Sequence, residues 1–283
     1  MIDTTAPLGL LEALVLGIVQ GLTEFLPISS TAHLRVVPAL LGWDDPGVSV
    51  TATIQLGSVA AVIAYFRQDL SQVLKGMGRA VRHGQWRDPE ARLGVAMVIG
   101  TLPILVLGLG IKFFWHAGYS SSPLRSVPSI AIVSIVMALL LALAECTGPR
   151  IKQLEAVTGR DGFVVGLAQA LAVIPGVSRS GSTLTASLFD GWQRADAARF
   201  SFLLGIPAIS IAGLVELKSA LSVSAGAGPL PLCVGIFAAA VVSWLAIDWL
   251  LRFLQRNSTW IFVGYRLVFG AGLLAWWAVN SAN

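Results

Sequence analysis

Two short polar segments interrupt an otherwise apolar chain, and they stand in matching surroundings. The first is Pro27-Ile-Ser-Ser-Thr-Ala-His33 and the second is Pro175-Gly-Val-Ser-Arg-Ser-Gly-Ser-Thr183. Apart from a one-residue shift at the proline, matching positions are 149 apart. Each segment follows an apolar run that carries Gly and Gln three residues apart, namely Gly17 with Gln20 and Gly166 with Gln169. The pattern predicts an internal repeat in which each copy breaks a helix at a polar turn.

The composition places this repeat in a membrane. Hydrophobic residues make up 55% of the chain and charged residues 12%, and the mean hydropathy is +0.78. Soluble domains average about a quarter charged residues. No basic face with interleaved aromatic residues is present, so we expect no nucleic-acid partner. The two cysteines, Cys146 and Cys233, form neither a disulfide framework nor a metal-binding spacing.

Six apolar segments are long enough to cross a bilayer, which takes roughly 17–25 residues. They cover about residues 50–66, 93–114, 128–145, 200–217, 229–251 and 260–278. Two further stretches, about 8–41 and 162–190, are apolar but interrupted by proline and a Ser/Thr cluster, which predicts re-entrant helix-turn-helix hairpins. We therefore predict an all-α polytopic membrane protein with a single integral membrane domain over residues 1–283. Repeat one covers about 8–114 and repeat two about 162–251.

The distribution of basic residues predicts the orientation. Three loops on one side are basic, and they carry Lys75, Arg79, Arg82, Arg87 and Arg92, then Arg150, Lys152 and Arg160, then Arg252 and Arg256. Lys and Arg accumulate in cytoplasmic loops. Both termini are then outside, the first hairpin enters from the periplasmic face and the second from the cytoplasmic face. The prediction is an inverted-topology repeat with its two polar turns meeting near the midplane, an arrangement found in many transporters.

The first turn carries groups suited to covalent catalysis. Gln20 and Glu24 share a helix face, and Glu24 lies one turn before Pro27, where the helix must end. If Ser30 caps the returning helix, His33 lies at its third position and comes within hydrogen-bond reach of the serine. The positive end of the helix favours a neutral imidazole that can accept a proton. A nucleophile beside a base indicates covalent catalysis.

The second turn is suited to binding an anion. Arg179 lies among glycines and hydroxyls just ahead of a short helix, and such a turn offers free backbone N–H groups. Its guanidinium is a planar, permanently charged fork that matches phosphate oxygens. We predict that Glu24, Ser30, His33 and Arg179 are catalytic. The predicted substrate-binding residues are Ser29, Thr31, Ser178, Ser180, Gly181 and Thr183.

Structural explanations exist for several of these residues. Ser29, Ser30 and Thr31 are all good helix caps. Glu24 and Arg179 can form an ion pair that only ties the hairpins together. His33 alone can be a satisfied core histidine, and Arg266, near the start of the last span, can extend its side chain inward. An ionisable residue inside a membrane segment nevertheless indicates function, because burial there is costly.

The two motifs, running from Gln20 to His33 and from Pro175 to Thr183, closely resemble the signatures of the undecaprenyl-pyrophosphate phosphatase family, the bacitracin-resistance proteins. The resemblance extends to Ser201-Phe-Leu-Leu-Gly-Ile-Pro207 and Gly264-Tyr-Arg266. It implies a bacterial inner-membrane enzyme that removes the terminal phosphate of undecaprenyl pyrophosphate and regenerates the lipid carrier for envelope synthesis. It also implies a divalent cation cofactor, magnesium or calcium.

Carried over residue by residue, the resemblance makes Glu24 the catalytic acid, Ser30 and Thr31 the catalytic hydroxyls, His33 the histidine and Arg179 the phosphate-binding arginine. Gln20 stands where many members have a second glutamate. Because an amide oxygen is a weaker ligand for a hard cation, the predicted metal ligands are Glu24 and, less securely placed, Gln20. Either Ser30 or His33 is the nucleophile.

Two functions follow from the sequence. The first is hydrolysis of the lipid pyrophosphate, with the active site opening to the periplasm, the prenyl tail among the helices and a homodimer as a further expectation. The alternative is a polyprenyl-phosphate flippase or transporter that uses the same inverted-repeat site.

Overall fold

The computed structural model describes residues 8–115, 118–119 and 122–281, with the backbone alone for 215–227. In these residues the chain folds into α-helices joined by short turns. The helices are α1 Leu10–Phe25, α2 Ser30–Leu41, α3 Gly47–Tyr65, α4 Arg67–His83, α5 Pro89–Phe114, α6 Val127–Thr147, α7 Gly159–Ala170, α8 Arg179–Phe189, α9 Arg194–Ala227, α10 Pro229–Arg256 and α11 Trp260–Ser281.

All six predicted membrane spans are present. Helices α3, α5, α6, α9, α10 and α11 each contain an apolar stretch long enough to cross a bilayer. The observed ends differ from the predicted ones by up to ten residues, and polar residues such as Arg194 and Arg256 lie in the parts of the helices beyond their apolar centres. The protein is a multi-pass membrane protein.

The connector predicted between the first two spans, residues 68–92, contains a helix rather than an open loop. Helix α4 buries Val73, Gly76 and Ala80 on one face and packs on α5. Its basic side chains lie on the exposed faces, so the positive charge assigned to this side of the membrane is carried by an amphipathic helix.

Both predicted hairpins are helix-turn-helix units. The first is α1, a turn over residues 26–29, and α2. The second is α7, a one-turn 3₁₀ helix at Leu171–Val173, a turn, and α8. Helix α1 has 16 residues and is therefore about 24 Å long, which is shorter than the roughly 30 Å hydrocarbon layer. Entry and exit on the same membrane face remain a prediction.

The first helix of each predicted repeat packs chiefly on a helix that belongs to the other repeat. Helix α1 packs chiefly on α10, and its counterpart α7 packs chiefly on α5. Glycines allow both approaches, because a Cβ on Gly17 would lie 2.4 Å from the Gly235 carbonyl oxygen and one on Gly166 would lie 2.4 Å from that of Gly100. These glycines are the repeat-related pair of the sequence motif. Small residues that let helix backbones approach are the usual means of packing helices in membranes.

A charged cluster closes the end of the protein that carries the basic loops. Lys152 donates to Asp161 at the start of α7 and to Asp190 just after α8. Burial alone would lower the pKa of Lys152, but these two hydrogen bonds hold the pKa above its usual value. The charged lysine therefore ties the outer ends of the second hairpin together.

Replacement of the repeat-related glycines tests this packing. Gly17→Ala and Gly166→Ala each place a methyl group against a backbone carbonyl of the neighbouring helix, so we expect each to cost about 1–3 kcal/mol of stability. Thermal unfolding in detergent should show a lower Tm for both. Gly108→Ala in α5 is the control, because a Cβ there meets nothing within 4 Å. Equal Tm values for all three variants would contradict the close helix approach.

Candidate active site

The two polar turns present the same backbone conformation at repeat-related positions. Ser29, with φ 77°, precedes α2, and Ser178, with φ 70°, precedes α8. A positive φ is uncommon for a residue other than glycine and costs roughly 1–3 kcal/mol. The positions are 149 apart, so both copies of the repeat carry this strain at the point where the returning helix begins.

Glu24 lies at the centre of the site. Its Oε1 accepts from Arg179 Nη2 at 3.0 Å, and its Oε2 accepts from Ser30 Oγ at 2.8 Å and from Gln20 Nε2 at 3.1 Å. The side chains of Glu24 and Arg179 are 6% and 9% exposed. The ion pair considered from the sequence is thus present, and it joins the two hairpins. Three donors from three separate segments converge on one buried carboxylate.

Arg179 reaches Glu24 across a gap that only glycine leaves open. A Cβ at residue 205 would lie 1.7 Å from Arg179 Nη1. The guanidinium therefore lies against helix α9 at Gly205, within the Ser201–Pro207 segment of the resemblance. Nη1 is buried and has no hydrogen-bond partner among the described residues, so the fork keeps a donor for a further acceptor.

His33 does not pair with Ser30 as predicted. Helix α2 is capped by Ser29 rather than Ser30, so Ser30 is its first helical residue and its hydroxyl turns to Glu24. The His33 ring is bonded at both nitrogens, through Nδ1 to the Ser29 carbonyl oxygen at 2.7 Å and through Nε2 to the Tyr265 hydroxyl at 2.6 Å. The shift of one residue in the cap separates the predicted nucleophile from the predicted base.

The other predicted binding hydroxyls shape the two turns. Ser29 pairs with Thr31 and, at the matching place, Ser178 pairs with Ser180. Ser178 Oγ also accepts from the Gly181 N–H and so caps α8. Ser180 Oγ donates to the Leu26 carbonyl oxygen at 3.0 Å, which links the second turn to the first.

Thr183 lies one turn further into α8 and faces away from this group. Its hydroxyl bonds the Arg179 carbonyl oxygen and the Ser201 hydroxyl. Its contacts fasten α8 to α9, so the structure gives Thr183 a supporting place behind Arg179.

Arg266 donates hydrogen bonds to both turns. The sequence indicated only that its side chain can extend inward, not that it binds the turns. Arg266 is 1% exposed. Nη1 donates to the carbonyl oxygens of Pro27 at 3.0 Å and Val177 at 3.2 Å, and Nη2 donates to that of Gly176 at 2.7 Å. The sequence signal for this role was a cationic residue six positions into an apolar span. Burying a charge in a membrane segment is costly, so such residues usually have a function.

Three further residues contact the site but were not among the site residues predicted from the sequence. Tyr265 binds His33, Gly205 makes room for Arg179, and Ser58 Oγ accepts from Gln20 Nε2 at 3.4 Å. A tyrosine, a glycine and a serine in apolar spans are ordinary residues, so only their three-dimensional neighbours reveal these roles.

The predicted cation ligands are arranged for hydrogen bonding. Gln20 turns its amide nitrogen, not its oxygen, towards Glu24, which gives no support to Gln20 as a ligand. Among the residues the structure describes, no group of three or more His, Cys, Asp or Glu could hold a metal ion. Mg²⁺ is commonly bound by one or two carboxylates together with substrate phosphates. Glu24 fits a cation only in combination with oxygens of a bound phosphate.

This fold and this site define a class: a polytopic membrane protein with a buried polar centre where two helix N-termini meet. A family model described as bacitracin resistance protein BacA matches residues 13–272. The chain belongs to this family.

Several relatives align over almost the full chain. A protein of Synechococcus sp. (strain CC9902) is 92% identical over 283 residues, covering 100% of both chains. One of Parasynechococcus marenigrum (strain WH8102) is 76% identical, again over 100% of both chains. One of Prochlorococcus marinus (strain MIT 9303) is 72% identical over 95% of this chain and 92% of its own. All three are named undecaprenyl-diphosphatase.

The space at Gly205 provides a test of the site geometry. Gly205→Ala places a methyl group where the Arg179 guanidinium lies, so the guanidinium must shift and its alignment with Glu24 is disturbed. We expect phosphatase activity to fall roughly 10²-fold or more, the usual effect of losing one preorganised donor. Phosphate release from purified protein measures this.

Gly272→Ala in α11 is the matched control, because a Cβ at Gly272 meets nothing within 4 Å. Activity of Gly205→Ala equal to that of the control would show that the position of Arg179 is unimportant.

Proposed function

We propose that this protein hydrolyses undecaprenyl pyrophosphate to undecaprenyl phosphate and inorganic phosphate, and so recycles the lipid carrier for cell-wall synthesis. The names of its relatives support this substrate. The observation that carries the proposal is the environment of Glu24. Its buried carboxylate accepts hydrogen bonds from a serine hydroxyl, an amide and a guanidinium.

The terminal phosphate binds at the second turn. The N-terminus of α8 offers backbone N–H groups and a positive dipole end to an anion. Arg179 exchanges its bond to Glu24 for phosphate oxygens, which its planar fork can bind in pairs. The bound phosphate thereby releases Glu24 from the ion pair and leaves it bonded to Ser30.

In this mechanism the proton goes to Glu24 rather than to His33, and the hydrogen bond from Ser30 to Glu24 supports this choice. Ser30 Oγ attacks the terminal phosphorus while its proton passes to Glu24 Oε2, the atom to which the hydroxyl already donates at 2.8 Å. The bond from this phosphorus to the bridging oxygen breaks, and undecaprenyl phosphate leaves with the proton that Glu24 had accepted. Water then hydrolyses the phosphoserine: Glu24 takes a proton from the water and returns it to Ser30 Oγ, and inorganic phosphate is released. Arg179 and the N–H groups of α8 stabilise the charge in both steps.

A divalent cation, magnesium or calcium, is part of the proposal. Glu24 would hold it together with phosphate oxygens, and it would neutralise charge on the pyrophosphate. Gln20 keeps Glu24 oriented by donating to it.

The location proposed for the site follows from the charge pattern. The protein lies in the bacterial plasma membrane with its basic loops in the cytoplasm, the mouth of the first hairpin opens to the periplasm, and the prenyl tail lies between helices in contact with lipid. A homodimer stays a prediction.

Phosphate release in detergent distinguishes the enzyme from the alternative flippase. Purified protein should release phosphate from undecaprenyl pyrophosphate in micelles, where no two-sided membrane exists, and a chelator should stop the release. Because a transporter alone changes no covalent bond, absence of release at saturating cation would overturn the proposal.

Two substitutions test the assigned roles. Glu24→Gln keeps the shape of the side chain but removes the proton acceptor, so kcat should fall about 10²–10⁴-fold. Arg179→Gln removes the guanidinium, and a loss of roughly 10²–10³-fold is expected. Steady-state kinetics in detergent measure both effects.

The exposed ion pair Arg79–Asp88 supplies matched controls, because Arg79→Gln and Asp88→Asn make similar changes far from the site. These controls should behave as wild type. Near-normal turnover in Glu24→Gln would remove Glu24 as the base.

A further inference from the structure

The side-chain hydroxyl of Tyr265 is hydrogen-bonded to the buried His33. The Tyr265 hydroxyl lies 2.6 Å from His33 Nε2, although the two residues are 232 positions apart in the chain. His33 is 5% exposed, whereas Tyr265 is 43% exposed. The imidazole also stacks with two aromatic rings, with centroids 4.4 Å from that of Phe269 and 5.7 Å from that of Tyr265. Ring packing therefore explains why Phe269 lies against His33, but it does not explain the hydrogen bond from the Tyr265 hydroxyl.

The contacts of the imidazole determine its tautomer. The Ser29 carbonyl oxygen can only accept, so Nδ1 carries the hydrogen. A neutral imidazole has one N–H, and Nε2 is then the acceptor for the Tyr265 hydroxyl. In the opposite tautomer, Nδ1 and the Ser29 carbonyl oxygen would be two acceptors 2.7 Å apart. The opposite tautomer would therefore require the ring to leave the first turn, and the Tyr265 hydroxyl opposes this by donating to Nε2.

We propose that Tyr265 is a positioning residue for the hydrolysis, an inference that rests on the proposed function. By donating to Nε2, Tyr265 fixes His33 as the Nδ1–H tautomer, and this N–H holds the Ser29 carbonyl. Ser29 has a positive φ, so its conformation needs outside support. Ser30, the next residue, is thereby kept with its hydroxyl on Glu24. The chain of contacts runs from α11 to the attacking oxygen.

The first measurement is the kinetics of Tyr265→Phe, which keeps the ring and its stacking but loses the donor. We expect kcat to fall by about ten-fold or more, because a buried acceptor loses its partner, while KM stays within about two-fold because Arg179 and the second turn are untouched. Tyr65→Phe in α3 is the matched control, since the Tyr65 hydroxyl bonds Asp248 outside the site. Turnover of Tyr265→Phe equal to that of the control overturns the inference.

The second measurement reads the tautomer. The chain has three histidines, so ¹⁵N spectra of labelled protein, compared with those of His33→Asn, identify the signals of His33. Wild type should show the Nδ1–H form, and Tyr265→Phe should show a mixture of tautomers, because rings that leave the Ser29 carbonyl can carry their hydrogen on Nε2. A fall in kcat with an unchanged His33 spectrum would assign Tyr265 a different role and overturn the inference.

The third measurement is a double-mutant cycle. The side-chain amide of His33→Asn can still donate to the Ser29 carbonyl, but it has no ring nitrogen for Tyr265 to fix. Adding Tyr265→Phe to His33→Asn should therefore change kcat by less than about two-fold. A further loss as large as that in wild type overturns the inference. Failure of wild type to release phosphate would instead contradict the proposed function, so the two failures are distinguishable.

Discussion

The guanidinium of Arg266 is the constraint on which the geometry of both turns depends. Helices broken at membrane depth expose carbonyl groups that water cannot reach, and these groups must find donors within the protein. Arg266 supplies them to both turns at once, through Pro27 on one side and Gly176 and Val177 on the other. Its hydrogen-bond partners in the described structure are carbonyl oxygens, so its positive charge is left to favour an anion in the site.

The two copies of the repeat share a backbone conformation at the turn but carry different polar side chains. Ser29 and Ser178 repeat the same strained conformation, and each precedes a helix whose N-terminus points into the site. The first copy supplies Glu24 where the second has Val173, and the second supplies Arg179 where the first has Ser30. The hydroxyl of Ser30, the carboxylate of Glu24 and the guanidinium of Arg179 therefore meet because the two copies differ at these positions while their backbones are alike.

The sequence predicted the parts of this protein that depend on local pattern. Apolar length identified six spans, and Pro27 with the following hydroxyls identified a helix break. The ion pair of Glu24 with Arg179 was foreseen as an alternative, because two opposite charges at membrane depth must be close. The contact of His33 was predicted wrongly, since a one-residue change in the helix cap redirects its ring and its actual partner, Tyr265, comes from the last helix. The roles of Gly205 and Arg266 depend on which helices are neighbours, which spacing along the chain does not encode.

The exchange of packing partners between the repeats affects how the chain is made. Helix α1 is synthesised before α10, its chief partner, which leaves the ribosome more than 200 residues later. Helix α1 is about 24 Å long, which is too short to span the bilayer. Until α10 is made, α1 also lacks the helix surface against which Gly17 packs. The first hairpin therefore reaches its final position only after α10 has been made, and the site is assembled when Arg266 arrives with α11.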